Sequence, residues 1–427
     1  MDLAGGGIGL YTDVGFTGFQ HSVAIMGSSM TGSDTASMSS VGSKRSRTDG
    51  SCASSGGESP GVDKKMLERE RNRRQARKSR TLKKQCTERL QQELNLLRKS
   101  KEEAKAKDAE AAQRVADLRA AWCLSLRKVF DLRAAARTDE DAWLEVVTTD
   151  LRFTLPITPY RSFNPCDVVN NCRVMLGVDG IMSDTQSLRV ACDNIGVKTR
   201  SLESPVSIAY SLGTDGGSED GVFFNEQGLM CTFIMRTLDA VAHGAADECF
   251  KTGMIRARFD SENKIEELDM TFDAIAFYHQ LMRASGTNDF PLVPNTLVNA
   301  LKDKKSRIVV TTAKRPFRIT HVNDAWTKLC GFEIEECHGK SLSILQGPET
   351  NMTKVANLCA MSQKGYASSM VVTNHNKKGE LFRNHLRCYP VSSDEPGQIS
   401  HIVGMLTEIP VENKDPRAMR APAVKAF

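Results

Sequence analysis

The run from Val62 to Ala136 contains neither glycine nor proline and is dense in Lys, Arg, Glu, Gln, Leu and Ala. Those residue types lose little freedom in a helix, and the two that break helices are absent, so the run predicts one very long helix. Its charge is concentrated at one end. Between Lys64 and Arg89 stand twelve Lys or Arg against three Glu. The whole chain carries only +5, so everything outside this segment is slightly acidic and the basic charge is a local device.

A helix entering the major groove of DNA must present short or hydrogen-bonding side chains on one face. Asn72, Ala76, Ser79 and Arg80 share a helical face. Asn can bond base edges, Ala can touch a thymine methyl, and Arg can bond guanine or phosphate. Around them stand Arg69, Arg71, Arg73, Arg74, Arg77, Lys78, Lys83 and Lys84, placed to neutralise phosphates on both sides of a groove. An exposed basic helix without sequence preference would share the charge but not the register. Here Asn72 is followed by Arg80, then by Leu90 and Leu97, an Asn-x7-Arg-x9-Leu pattern that resembles the basic leucine zipper family. The resemblance implies that Asn72, Gln75, Ala76, Ser79 and Arg80 face the bases. Gln75 departs from the family, which usually has a small residue there, and this puts the half-site in question.

With Leu90 at d, the d positions read Leu90, Leu97, Ala104, Ala111 and Leu118, and the a positions Thr87, Leu94, Lys101, Asp108 and Val115. Leu90, Leu94, Leu97, Val115 and Leu118 form the expected seam. Lys101 and Asp108 would each face their like in a homodimer, which is costly, whereas Glu93 and Arg98 can pair across strands. The zipper alone therefore predicts weak pairing. Either a different zipper protein relieves the polar positions or later domains help to hold a dimer. Two half-sites need two basic helices, so a homodimer or heterodimer on double-stranded DNA is expected.

At 427 residues the chain has room for two or three domains. Residues 1–61 are rich in Ser, Gly, Thr and Met and poor in aliphatic residues, the composition of a disordered segment. Within it Lys44-Arg45-Ser46-Arg47 is either a solvated patch or part of a nuclear import signal. The twelve cysteines show neither CxxC pairs nor zinc-ligand spacing, so no metal is expected and the thiols read as reduced, in an intracellular setting. No apolar run is long enough to cross a membrane, and the N-terminus lacks the layout of a signal peptide.

Beyond the zipper the texture becomes α+β. A helical pattern at Trp122, Leu126, Val129 and Phe130 precedes a short helix at Asp139–Val147 and a strand at Leu151–Leu155. Further strands are expected at Ser207–Leu212, Gly221–Phe224, Cys231–Leu238, Gly253–Phe259 and Ile265–Phe272, with a closing helix Ala274–Ala284. This order resembles the nuclear-transport-factor-2-like (SnoaL-like) fold. Some members of that group are enzymes, and His243, Asp247 and Asp273 would be the polar candidates. Such residues occur by chance in a domain this size, and a structural or dimerising role is the expectation.

After a stretch with Pro291 and Pro294, read as a linker, strands are expected at Ile308–Thr312, Ile319–Val322, Val371–Asn374, Glu380–Tyr389 and Ser400–Ile409, with a helix opening at Asn323. Val322-Asn323-Asp324-Ala325, Gly331-Phe332 and Gly339-Lys340 resemble PAS sequences, and Leu345-Gln346-Gly347-Pro348-Glu349-Thr350 resembles the LOV subgroup of blue-light flavin sensors. That resemblance implies a flavin pocket, but the pocket is degenerate. Leu342 stands at the position of the adduct-forming cysteine. Ser343 and Cys359 stand where arginines hold the flavin phosphate, and Leu406 replaces the glutamine that reads the ring. Gln346, Asn374 and Asn384 remain. Without the phosphate arginines FMN is not expected as a cofactor.

A basic zipper ahead of a LOV-like domain resembles the aureochromes, transcription factors of photosynthetic stramenopiles. The chain thus reads as multidomain: a disordered segment 1–61, a basic region and zipper 62–118, an α+β NTF2/SnoaL-like domain 119–286, a linker 287–304, an α+β PAS domain 305–410 and a tail 411–427. The implied function is a nuclear, dimeric, non-enzymatic transcription factor whose PAS domain is a non-photoactive interaction or sensor module with a protein partner. The alternatives are a flavin- or small-ligand-sensing regulator and an enzyme in the middle domain.

Overall fold

The computed structural model describes residues 61–195, 204–216, 221–286, 290–392 and 398–409. Residues 1–60, with the Lys44–Arg47 cluster, and the tail 411–427 lie outside them.

Helix α1 (Gly61–Ala134) is uninterrupted over 74 residues. Every side chain from Lys64 to Leu118 is exposed. No tertiary burial supports that stretch, so its helicity rests on residue propensity and on local pairs such as Arg74–Glu70 at 3.7 Å and Lys84–Glu88 at 3.9 Å. Further on α1 becomes a core element: Trp122, Leu126, Val129 and Phe130 are buried.

The expected short helix is α2 (Glu140–Leu144), followed by strands β1 (Val147–Pro156), β2 (Val168–Val169) and β3 (Cys172–Leu176). Helix α3 (Gly177–Asp193) comes next and was not foreseen. Then follow β4 (Ile208–Leu212), β5 (Val222–Phe224), β6 (Gly228–Thr237), β7 (Phe250–Phe259), β8 (Ile265–Phe272) and α4 (Ala274–Ala284). The eight strands form one sheet in the order β2-β3-β1-β8-β7-β6-β4, with β5 also paired to β6. The β1–β8 pair is parallel and the other pairs are antiparallel. A single hydrophobic core gathers the end of α1, α3, α4 and one face of this sheet.

Within the stretch 287–304, read from sequence as a linker, the described residues include a short helix. Thr296 caps a helix α5 (Leu297–Lys302) by accepting from the Asn299 amide at 3.2 Å, and Ala300 is buried. The prolines beside it suggested a spacer, but a side-chain cap and one apolar face suffice to dock a short helix.

The second sheet is built from β9 (Arg307–Thr312), β10 (Ile319–Val322), β11 (Ser368–His375), β12 (Leu381–Ser392) and β13 (Ile399–Ile409), in the order β10-β9-β13-β12-β11 and antiparallel throughout. Between β10 and β11 run α6 (Asp324–Cys330), α7 (Ile334–Cys337), a single turn at Leu342–Leu345 and α8 (Met352–Gln363). Asn323 opens α6 as its sequence position suggests, accepting from the Trp326 amide at 3.0 Å. Gly331 ends α6 in the left-handed conformation at φ 79°, where a side chain would be strained.

Each face of this sheet has its own cover. On one side Val309, Val372, Leu386, Ile402 and Leu406 pack with Trp326, Cys330 and Leu345 of the helical connection. On the other, Ile308, Val310, Tyr389, Val391, Val403 and Met405 pack with Val190 of α3, with Val293 from the stretch before α5, and with Ala300 of α5. Polar contacts reinforce this second cover. Tyr366 donates to Asp179 at 2.8 Å, and Ser369 donates to Asp193 at 3.0 Å.

Candidate functional site

Three places bear on function. The first is the basic stretch of α1. Asn72, Gln75, Ala76, Ser79 and Arg80 lie within one helix, as do Arg69, Arg71, Arg73, Arg74, Arg77, Lys78, Lys83 and Lys84, and all are exposed. The seam residues are exposed too: Leu90 57%, Leu94 48%, Leu97 66%, Val115 48% and Leu118 40%. A row of bare leucines at heptad spacing on a helix that is otherwise polar is costly in water unless another surface covers it.

The second is a cavity inside the five-stranded sheet, with a volume of about 170 Å³. Leu342, Gln346, Asn374 and Leu406 line it, together with Leu386, Met370 and Cys359. Asn384, read from sequence as part of the same set, does not line it. Asn384 is fully buried and its Nδ2 donates to the side-chain Oδ1 of Asn374 at 2.6 Å, while Asn374 Nδ2 donates to the Leu345 backbone carbonyl at 3.1 Å. The two amides thus fix each other and the turn before Gln346. Among the described residues that line it, none is charged. The volume lies below the roughly 300–1,000 Å³ of small-molecule sites.

The third is a cluster of buried charges in the eight-stranded domain, which the sequence reading missed. Asp184 on α3 is completely buried. Its Oδ2 accepts from Arg133 Nη2 at 2.7 Å, and its Oδ1 accepts from Arg173 Nη1 at 2.9 Å. Arg161 is ion-paired to the same carboxylate and also donates to the Asp184 backbone carbonyl at 3.0 Å. Burial pushes the Asp184 carboxyl up, but Arg161, Arg133 and Arg173 together outweigh it and hold it well below the usual carboxylate range. Lys251 on β7 is buried over the rings of Phe272 and Phe277, and burial, with Arg161 and Arg133 nearby, pushes its ammonium well below the usual lysine range. Two more residues of α3 reach the end of α1: Gln186 donates to the Ala136 carbonyl at 2.8 Å and Arg189 to the Ala134 carbonyl at 3.0 Å. The last carbonyls of a helix lack partners within it, so these bonds seat that end firmly.

The polar candidates of this domain have separate structural tasks. His243 is buried and its ring nitrogens lie 2.8 Å from the Asp239 carbonyl and 2.7 Å from the Ser204 carbonyl. Asp247 is exposed and accepts from the Glu248 amide at 2.8 Å. Asp273 caps α4, accepting from the Ile275 and Ala276 amides at 3.0 and 2.8 Å. Among the described residues no group of three or more His, Cys, Asp or Glu is arranged to hold a metal, every cysteine is free, and no helix is long and apolar enough to cross a membrane.

Comparison with known proteins identifies the second sheet. Residues 307–409 match the PAS domain family. Similar curated proteins include the bacterioopsin transcriptional activator of Halobacterium salinarum, 30% identical over 111 residues, which is 26% of this chain and 16% of that one. A blue-light-activated histidine kinase of Rhizobium johnstonii is 32% identical over 106 residues, 25% of this chain and 30% of that protein. Rice phototropin-2 (Oryza sativa subsp. japonica) is 28% identical over 123 residues, 29% of this chain and 14% of that protein. The match thus spans less than a third of each relative's length. Among solved structures, the light-state aureochrome-1 LOV domain is 25% identical with a TM-score of 0.24, covering 27% of this chain and 90% of that one. The LOV domain of the Erythrobacter litoralis EL346 histidine kinase is 21% identical with a TM-score of 0.23, covering 24% and 95%. The chain therefore carries a PAS domain over residues 307–409.

Proposed function

We propose that this protein is a dimeric, sequence-specific DNA-binding transcription regulator of the nucleus, with a PAS domain as its sensor or interaction module. The observation that carries this reading is the exposed stretch Lys64–Leu118, in which a basic face bearing Asn72, Ala76, Ser79 and Arg80 is followed by bare leucines at heptad spacing. Pairing two such helices would cover the leucines and set two basic faces against two half-sites. The partner is a second copy of this chain or another basic zipper protein, and Lys101 and Asp108 favour help from outside the seam.

The middle domain is read as NTF2-like on its order of strands and helices, and serves as scaffold. Catalysis there is not proposed, since His243, Asp247 and Asp273 are engaged with backbone groups. Flavin mononucleotide, the cofactor that LOV kinship suggests, does not fit the PAS cavity well. The cavity is small, no described residue that lines it is cationic, and Leu342 offers no thiol.

The test is Asn72→Ala in the full-length chain. Footprinting on a duplex selected from random sequences should lose protection, while the circular dichroism spectrum stays unchanged. An unaltered footprint would refute the assignment of this face to the bases.

A further inference from the structure

The eight-stranded sheet packs one face on the core and presents the other to solvent. We propose that the solvent face, centred on β7 and β8, is a self-association surface whose partner is the same face of a second copy of this chain. The inference rests on the dimeric reading above, in which Lys101 and Asp108 call for a pairing surface outside the zipper seam.

Side chains alternate along a strand, and burial sorts them. On β6 and β7, Cys231, Phe233, Met235, Ile255 and Ala257 face the core, whereas Thr232, Thr252, Met254 and Arg256 are exposed. The register carries this second set across the sheet: Thr232 stands beside Met254, and Met254 beside Thr271 of β8. Ile234 and Thr252 form the next pair along. The middle of the face is thus a row of uncharged, mostly short side chains with Met254 47% exposed. Such a row offers a second sheet a flat surface for aligned packing.

Beside that row the charges are sorted by strand. Arg256 and Arg258 lie on β7, and Asp269 and Glu267 stand opposite them in register on β8. Within one copy Arg256 reaches Asp269 at 2.7 Å and Arg258 reaches Glu267 at 3.4 Å. The Arg256 side chain still keeps 54% of its surface exposed, and a carboxylate has lone pairs for a second guanidinium. A cationic column next to an anionic one is self-complementary. A two-fold axis running along the strands between β7 and β8 lays β7 of each copy on β8 of the other. Arg256 then meets the partner's Asp269, Arg258 the partner's Glu267, and Met254 the partner's Thr271. The same axis lays β6 on the partner's β1, where Arg236 and Arg152 are the further charges. The register puts those two roughly 27 Å apart along the strands, well beyond the screening length of about 10 Å, so they do not oppose pairing. Strands β4, β6, β7, β8 and β1 span on the order of 700 Å², at about 4.8 Å between strands and about 3.4 Å per residue, near the roughly 800 Å² per partner of a stable interface.

The test is sedimentation of the full-length protein with the zipper seam broken by Leu94→Glu/Leu97→Glu. This protein should still show a monomer–dimer equilibrium. In the same background, Arg256→Glu alone and Asp269→Arg alone should each raise the dimer dissociation constant by at least roughly tenfold, since like charges then meet at both symmetric contacts. An equimolar mixture of the two variants should regain the dimer, because each offers the other an opposite charge at both contacts, and recovery also shows that neither has unfolded. Seam substitutions that leave the parent dimer equally tight would count against the zipper while leaving the charge variants to decide on the sheet. A protein that becomes fully monomeric once the seam is broken overturns the sheet proposal and leaves the zipper standing. A dimer indifferent to both charge variants, or one that mixing does not restore, overturns it as well.

Discussion

Replacing Asp184 with Asn removes one negative charge and leaves the side chain's shape nearly intact. The consequence is large because of what surrounds it. Arg133, Arg161 and Arg173 are each no more than 2% exposed and all converge on this carboxylate. An amide offers one acceptor oxygen and turns an NH2 toward guanidinium donors. Removing one member of a buried ion pair costs about 3–5 kcal/mol, because the surviving charge is left without compensation. Three guanidinium groups depend on this one carboxylate, so we expect the upper part of that range. That is a large fraction of the roughly 5–15 kcal/mol that holds a domain together. Urea unfolding followed by tryptophan fluorescence suits the measurement, since Trp122 and Trp143 are buried in the same core. The midpoint should fall with the slope unchanged. Acid provides a second readout. The folded-state pKa of Asp184 is depressed, so its contribution is complete above the unfolded carboxylate pKa of about 4 and drains away as pH falls below it. The Asn variant should therefore be less stable at neutral pH but lose less on acidification. A loss below about 1 kcal/mol, or an acid profile parallel to the parent's, would refute the view that this carboxylate holds the cluster together.

Two further outcomes are expected. Leu94→Glu/Leu97→Glu places charges on the exposed seam and should raise the dimer dissociation constant by at least roughly tenfold in sedimentation; an equally tight dimer would move the pairing surface elsewhere. The purified full-length protein should show no flavin absorption in the blue, and supplying flavin mononucleotide during refolding should not produce any. A stable blue band would overturn the reading of Leu342, Ser343 and Leu406.

The parts that were legible in sequence are those where one physical rule acts alone. Val62–Ala136 is helical because nothing in it opposes a helix, and the observed Gly61–Ala134 follows. Strand β8 and helix α4 lie close to their expected limits because alternation or helical spacing matches burial there, and β9 does so as a short apolar run buried on both faces. Helix α3 was illegible because it is buried on nearly every side, polar residues included, so it has no apolar stripe to announce it. Asp184, Thr185, Gln186 and Ser187 are all buried, and they are tolerated only through partners such as Arg133, up to 52 residues away. Leu342, Gln346, Asn374 and Leu406, grouped from sequence as pocket residues, line the cavity, whereas Asn384 is fully buried outside its lining and hydrogen-bonded to Asn374.

The cover on the outer face of the PAS sheet has a practical and an evolutionary side. Val190, Val293 and Ala300 belong to segments that precede β9, yet they complete the packing of Ile308, Val310, Val403 and Met405. A fragment cut at the edges of the PAS match would bare that face and turn sticky, and partners captured with it would report on the cut. In this chain the PAS sheet is packed as part of a larger unit that includes α3.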